Sequence, residues 1–366
     1  MNVTLVSTAA DENSGVGQYT EQLAAHLTDT VDLSWVRLPT DSANPVDFVR
    51  GAVDAVTSET DIIHVQFDYV LFGPLGLFTL LFFPLLRVLA ARTGARVVVT
   101  MHETLNPTLV RGPVRWLKAR YVLALNRTVA TTADQLVFLS PQARARFTHT
   151  VAATEIPHGV DLDAKQDLTP AEAKAMFGYR PDTTLVVEPG YVSPRKGSDV
   201  FRTVAERCPE YEFLLAGGPP RQRHSDFFDS IREEAPANLT VTGRLPEDRF
   251  HAAFAASDLA VLPYNETEQT GVVNAVNQSG VFNWCGAYGV PVVATDCARF
   301  RALKTDYGAV ELFEVDRIDD IVATVRGVLE EPERRDTLST AITAYATANS
   351  LSAAAADHID LYRSLT

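Results

Sequence analysis

The sequence predicts an α/β protein of two doubly wound, parallel-sheet domains, and three observations predict it. Short apolar, β-branched runs alternate with helical patterns, as strands and covering helices do in a parallel sheet. The series pauses over residues 160–180, in charged and proline-containing sequence, and then restarts. At 366 residues the chain also exceeds the size at which one hydrophobic core usually keeps growing.

The elements follow in order. Residues 3–6 read as a first buried strand, followed by Ser14-Gly15-Val16-Gly17 and a helix whose apolar Tyr19, Leu23 and Leu27 recur every four residues. Further strands are predicted at 62–67, 97–100 and 136–139. After the pause they resume at 184–187, 213–216, 239–242, 259–262 and 292–294. The two series define Rossmann-like domains at 1–165 and 166–345, and a final helix in 346–366 is expected to pack back on the first domain. Ligands of open parallel sheets gather at the carboxyl ends of the strands, so the cleft where the two domains face one another is the expected ligand site.

Composition narrows the class. A chain with 46% hydrophobic and 21% charged residues is not disordered. The apolar start has no positive flank and no small-residue cleavage site, so no leader peptide is expected. Cys208, Cys285 and Cys297 are an odd number without CxxC spacing, which suits thiols in a reducing cytoplasm. His149, His158, His224, His251 and His358 lack ligand spacing, and no metal site is expected. The net charge is −14, and only five of the 32 basic residues are lysines. That balance suggests a salt-loving host, where carboxylates stay hydrated and repulsion is screened; an acidic, arginine-rich genome would give the same. Nucleic acid is a poor partner for such a chain.

Several short motifs occur in a telling order. They are Ser14-Gly15-Val16-Gly17, Thr100-Met101-His102-Glu103 and Ile156-Pro157-His158-Gly159-Val160-Asp161, then Gly190 with Lys196-Gly197, Ala216-Gly217-Gly218 and Ser257-Asp258. Gly289-Val290-Pro291-Val292-Val293-Ala294-Thr295 closes the series. With these signposts the chain resembles, over nearly its whole length, the group 1 (family 4) glycosyltransferases of the GT-B fold. The resemblance implies transfer of a sugar from a nucleotide-sugar donor, with retention of configuration and without a catalytic metal or other cofactor. It also implies an acceptor-binding first domain and a nucleotide-binding second one.

Each candidate residue has a physical rationale. Gly15 and Gly17 would let the backbone approach donor phosphates at a helix start, where free N–H groups and the dipole favour an anion. Lys196, with Arg195 beside it, would stabilise the charge growing on a diphosphate leaving group. His102 sits where α/β ligands bind and would hydrogen-bond the donor sugar; Glu103 is a weaker candidate for sugar or acceptor contact. Ser279 and Gly280 would offer backbone N–H groups to phosphate.

The chain departs from the family pattern at two points. The position that usually carries a second arginine is Tyr191. Two glutamates spaced by seven residues are replaced by Val276 and Trp284, neither of which can accept a sugar or ribose hydroxyl. Trp284 could stack on a base or pack in the core.

The stretch 70–86 has no charged residue but is interrupted by Pro74, Gly76 and Pro84, and it is shorter than the roughly 20 residues a spanning helix needs. Being apolar on every face, it is either wholly buried or partly in contact with lipid. Residues 87–127 hold eight basic residues against one acid. Among them Arg111, Arg115 and Lys118 have the i, i+4, i+7 spacing of one helical face, beside Trp116 and Leu117. This predicts peripheral contact with an anionic membrane at the inner face of the cell, and suits a glycan or polyprenyl-phosphate-linked acceptor. Rival readings are a sugar-nucleotide epimerase or phosphorylase on the same fold, and a degenerate relative that binds nucleotide or partner without turnover.

Overall fold

The computed structural model describes residues 1–9, 15–40, 42–220, 224–265 and 279–366. Among these, one compact unit comprises Met1–Gly159 with Leu351–Thr366, and the other comprises residues 160–265 with Ser279–Ser350.

The first unit runs β1 (Asn2–Thr8), α1 (Gly15–Leu27), β2 (Asp32–Leu38), α2 (Pro45–Asp54), β3 (Ile62–Phe67), α3 (Thr79–Thr93), β4 (Arg96–Met101), α4 (Arg115–Thr132), β5 (Gln135–Phe138), α5 (Pro141–Arg146) and β6 (Ala153–Glu155). Its six strands form a parallel sheet in the order β2-β1-β3-β4-β5-β6. Strand β3 is buried at every residue, as a central parallel strand must be when both faces are covered. The edge strands β2 and β6 escape the sequence pattern because an edge strand keeps exposed positions and loses the apolar run. The last helix of the chain, α14 (Leu351–Leu365), belongs to this unit. Its Leu351, Ala354, Ala355, Ile359 and Tyr362 join Val3, Leu5, Tyr19 and Leu23 in one buried cluster.

The second unit runs α6 (Pro170–Met176), β7 (Leu185–Pro189), α7 (Ser198–Arg207), β8 (Glu212–Ala216), α8 (Ser225–Glu233), β9 (Leu239–Val241), α9 (Glu247–Ala255), β10 (Leu259–Leu262), α10 (Gly280–Tyr288), β11 (Val292–Thr295), α11 (Ala298–Tyr307), β12 (Glu311–Phe313), α12 (Ile318–Glu330) and α13 (Pro332–Ala348). Its parallel sheet has the order β12-β11-β10-β7-β8-β9. The Ser257-Asp258 signpost is structural here. The Asp258 carboxylate accepts from the Lys174 ammonium and from the Leu185 N–H, both at 2.9 Å, tying α6 to the start of β7.

The uncharged stretch 70–86 divides between two environments. It opens with two tight turns, and Leu75, in the second, takes a left-handed backbone (φ 56°) and is 85% exposed. In α3 one face is buried through Phe82, Phe83, Leu86 and Ala90, while Leu80, Leu81 and Val88 are exposed. The stretch is therefore not wholly buried, and no described helix is long and apolar enough to cross a membrane. Phe82 and Phe83 meet Phe67 and Phe72 at ring-centroid distances of 5.1–5.5 Å, mostly in tilted or edge-on pairs. Phe83 has no exposed surface. Its truncation to alanine should lower the stability of the first unit by roughly 3–5 kcal/mol, read as an earlier denaturant midpoint.

Candidate functional site

Doubly wound sheets bind ligands where the strand order reverses, because the loops on either side of that point diverge and leave a crevice. In the first unit the reversal lies between β1 and β3, and in the second between β7 and β10. The candidate residues collect at or near these two places.

In the first unit the chain leaves β1 toward α1, whose first turn holds both Gly15 and Gly17, so the helix begins earlier than the sequence predicts. Among the described residues a side chain at Gly15 would meet no atom within 4 Å, so their packing does not require a glycine there. One turn on, Tyr19 is 2% exposed, and its hydroxyl finds no hydrogen-bond partner among the described residues. Its ring lies edge-on to His102 at 5.2 Å and tilted over His158 at 4.3 Å. His102 follows β4 directly, its N–H donating to the Phe67 carbonyl at 2.9 Å. Burial pushes the His102 imidazole down to about 3, with His158 and His358 adding to the fall, and burial takes His158 down to about 4. Both rings are therefore neutral near pH 7. Glu103 is half-buried on the side of Tyr69, whose hydroxyl its charge holds further above the usual phenol range.

Tyr19 and His158 were not identified as site residues from the sequence. Tyr19 falls on the apolar period of α1, and His158 belongs to a junction motif that periodicity cannot place. The Ile-Pro-His-Gly signpost was their only visible signal.

In the second unit three segments converge. The loop after β7 carries Ser193-Pro194-Arg195-Lys196-Gly197, the segment after β10 carries Tyr264, and α10 starts at Ser279-Gly280. The Asn265 N–H donates to the Arg195 carbonyl at 2.9 Å. Gly197 adopts φ +75°, and a Cβ there would lie 1.9 Å from the Pro263 carbonyl oxygen, so only glycine permits this approach. Gly190, at φ +105°, lets the first turn of α10 come close, since a Cβ would sit 2.9 Å from Val281.

Tyr264 is the hub of this cluster. Its ring carries the Lys196 ammonium at 3.9 Å from the centroid, with the Arg299 guanidinium at 5.7 Å. Its hydroxyl pairs with the Ser279 hydroxyl at 2.8 Å, and the Ser279 oxygen accepts from the Phe282 N–H to cap α10. Beneath the loop lies Glu188, buried, accepting from the Ser198 hydroxyl at 2.8 Å. Burial pushes the Glu188 carboxyl up to about 8, against the pull of Ser198 and Lys196. A carboxyl held largely protonated near pH 7 leaves most of the Lys196 charge available to an anion. Arg195 is exposed beside the cluster and Tyr191 is 43% exposed. Neither Tyr264 nor Arg299 is flagged by the sequence, because their roles depend on where loops from separate strands meet.

One sequence expectation changes, and one open alternative is decided. Arg111 precedes α4, separated from it by Gly112 at φ +88° and Val114 at φ +53°, so Arg111, Arg115 and Lys118 do not form one helical face. The cause is Gly112-Pro113, which bends the chain just before the helix. All three side chains are nevertheless exposed. Trp284 packs in the second unit's core cluster, edge-on to His251 at 4.5 Å, which places it on the side of packing. Val276 lies outside the described residues. Among the described residues no three His, Cys, Asp or Glu side chains group as metal ligands.

With this geometry in hand, comparison with known proteins gives a consistent picture. Residues 188–331 match the model of the family described as Glycosyl transferases group 1. The chain is 29% identical over 191 residues to the phosphatidyl-myo-inositol mannosyltransferase of Mycolicibacterium smegmatis, covering 50% of this chain and 44% of that protein. It thus spans less than half of that relative. Among solved structures, sucrose-phosphate synthase from Thermosynechococcus elongatus superposes with a TM-score of 0.77 at 18% identity, over 100% of this chain and 98% of the other. Anabaena Alr3699/HepE in complex with UDP does so at 0.76 and 12% identity, over 100% of both chains. The curated relatives it resembles are named as glycosyltransferases or glycolipid synthases. The chain carries the GT-B fold of two Rossmann-like units, and its residues 188–331 are those of a group 1 glycosyl transferase model.

Proposed function

We propose that this protein is a glycosyltransferase that takes a sugar from a nucleotide-sugar donor and passes it to a glycan or lipid-linked acceptor. The observation that carries the reading is the cationic cluster at the reversal point of the second sheet. There Lys196 is held on Tyr264, next to the N-terminus of α10 at Ser279 and Gly280. A diphosphate leaving group gains charge as the glycosidic bond breaks, and a fixed ammonium with helix-terminal N–H groups stabilises that charge more than the ground state. Arg195 adds positive potential at the exposed rim.

In this reading the second unit holds the nucleotide and the first unit contacts sugar and acceptor. The neutral imidazole of His102 suits a hydrogen bond to a hydroxyl, not an ion pair. No side chain is assigned as a covalent nucleophile. Retention would then follow from attack on the same face that the diphosphate leaves, with the leaving phosphate taking the acceptor's proton. The chain's part is positioning and charge stabilisation. The match over residues 188–331 and the UDP-bound structural neighbour support a nucleotide-sugar donor. Without the paired glutamates, the contact to ribose and sugar must come from other groups.

The acceptor side is read from the first unit. Trp116, Leu117 and Val114 at the start of α4 are 53–64% exposed, and the Tyr121 hydroxyl donates to the Leu75 carbonyl at 3.1 Å. That bond ties the turn of the exposed Leu75 to α4, whose Arg115, Lys118 and Arg120 are also exposed. Exposed apolar side chains in segments that also carry exposed cations suit the interface of an anionic bilayer, at about 1 kcal/mol for each Arg or Lys near the surface.

Screening nucleotide sugars by thermal stabilisation should identify the donor, since a ligand at about 100 times its dissociation constant adds about 2.7 kcal/mol. With that donor, Lys196→Ala should lower turnover roughly 100-fold or more. Stabilisation without any transfer or donor hydrolysis would point to a binding protein, and no stabilisation by any nucleotide sugar would sink the reading. Reversing the charges of Arg111, Arg115 and Lys118 should reduce co-sedimentation with phosphatidylglycerol-containing vesicles, most visibly at low salt; unchanged binding would remove the membrane surface from the proposal.

A further inference from the structure

Strand β3 is buried throughout, yet it carries two polar side chains two residues apart, His64 and Gln66, 0% and 1% exposed. The strand period of two puts them on one face. They form a continuous buried line of hydrogen bonds within the first unit. The Gln66 Oε1 lies 2.7 Å from His102 Nε2, and the Gln66 Nε2 lies 3.2 Å from His64 Nε2. The same His64 nitrogen is 2.7 Å from the Thr100 hydroxyl, and His64 Nδ1 is 2.5 Å from the Tyr362 hydroxyl on α14.

The orientation of the Gln66 amide sets the direction of the line. A carboxamide oxygen only accepts and its nitrogen only donates. With Oε1 on His102, the Nε2 of His102 must carry the hydrogen, and Nδ1 is left with the lone pair. With the amide nitrogen on His64, His64 Nε2 must be bare, and the Thr100 hydroxyl donates to it as well. The His64 hydrogen is then on Nδ1 and goes to the Tyr362 oxygen. No donor faces a donor along the line, which matters because a mispaired polar group in a buried site is costly.

We propose that Gln66, backed by His64, Thr100 and Tyr362, is a positioning residue that locks His102 in its Nε2–H tautomer, so that His102 offers a lone pair at Nδ1 and selects a hydroxyl donor as its contact. The identity of that hydroxyl, on the donor sugar or on the acceptor, rests on the transferase reading; the lock itself does not. The reversed amide would present an Nδ1–H instead, suited to a phosphate or carbonyl oxygen. Because Tyr362 lies on α14, the lock also gives that helix a part in the site beyond packing.

The test is long-range proton–nitrogen NMR on the full chain labelled with ¹⁵N-histidine, with His102 assigned by its loss in His102→Asn. The wild type should show a protonated Nε2 and a pyridine-like Nδ1, a measurement that needs no variant of Gln66 to fold. Hydrogen on Nδ1 would overturn the proposal. Gln66→Leu should shift His102 toward mixed tautomers and lower turnover roughly tenfold or more, while Gln66→Glu, which keeps an acceptor there, should restore the Nε2–H form. An unchanged tautomer in Gln66→Leu would also overturn the lock. A rise in donor KM would place the hydroxyl on the sugar, and a rise in acceptor KM would place it on the acceptor. A tautomer that responds while both KM values and turnover stay unchanged would overturn the hydroxyl contact. The expected tautomers without transfer from any nucleotide sugar would confirm the lock and count against the transferase reading alone.

Discussion

A parallel strand can meet its neighbour only after the chain has crossed over a sheet face and come back, and most of this molecule follows from that requirement. The crossover helices bury both faces of each sheet, so the strands become nearly continuous apolar runs. The loops that carry chemistry are pushed to the carboxyl ends. Where the strand order reverses, two such loops part, and polar groups can sit together without being packed over. Tyr264 and Lys196 meet because β7 and β10 are neighbours in the sheet. His102 and Gln66 meet because β4 and β3 are, with Thr100 opposite Gln66 in register.

The two units use the same architecture with opposite electrostatics. In the first, burial strips the imidazoles of charge, and His102, His158 and His358 all fall to about 3 or 4. What remains is a neutral hydrogen-bonding surface, fitted to hydroxyls. In the second, the buried Glu188 is the group that burial neutralises, and the Lys196 ammonium lies over the Tyr264 ring. Burial removes the charge from a histidine and from a carboxyl by the same desolvation, yet the outcome is a polar neutral site in one unit and a cationic one in the other. The proposed transfer from a nucleotide sugar would use that division of labour.

The apolar stretch before β4 shows how a single sequence feature can serve two ends. Phe82, Phe83 and Leu86 fill the core between α3 and the sheet, while Leu80, Leu81 and Val88 remain on the surface. Leu75 is held in a left-handed turn beside two positive-φ glycines and is nearly fully exposed. Exposure of that kind has no packing benefit, and the turn is tied to α4 through the Tyr121 hydroxyl.

The sequence by itself determined the order of strands and helices and the pause between the two series. It also determined the positions of the candidate loops, because apolar periodicity and glycine spacing are local properties. His102, Lys196, Ser279 and Gly280 were legible as candidates for that reason. The edge strands were not, since an edge position weakens the apolar run that marks a strand. The helical face of Arg111, Arg115 and Lys118 was misread because a bend at Gly112-Pro113 interrupts the spacing. Tertiary structure alone decided that Tyr264 supports Lys196, that Trp284 packs in the core, and that Gln66 reaches His102 while Tyr362 closes the line from the far end of the chain. Those relations join residues distant in sequence, and the forces that set them, close packing and the pairing of buried donors with acceptors, act only once the strands lie side by side.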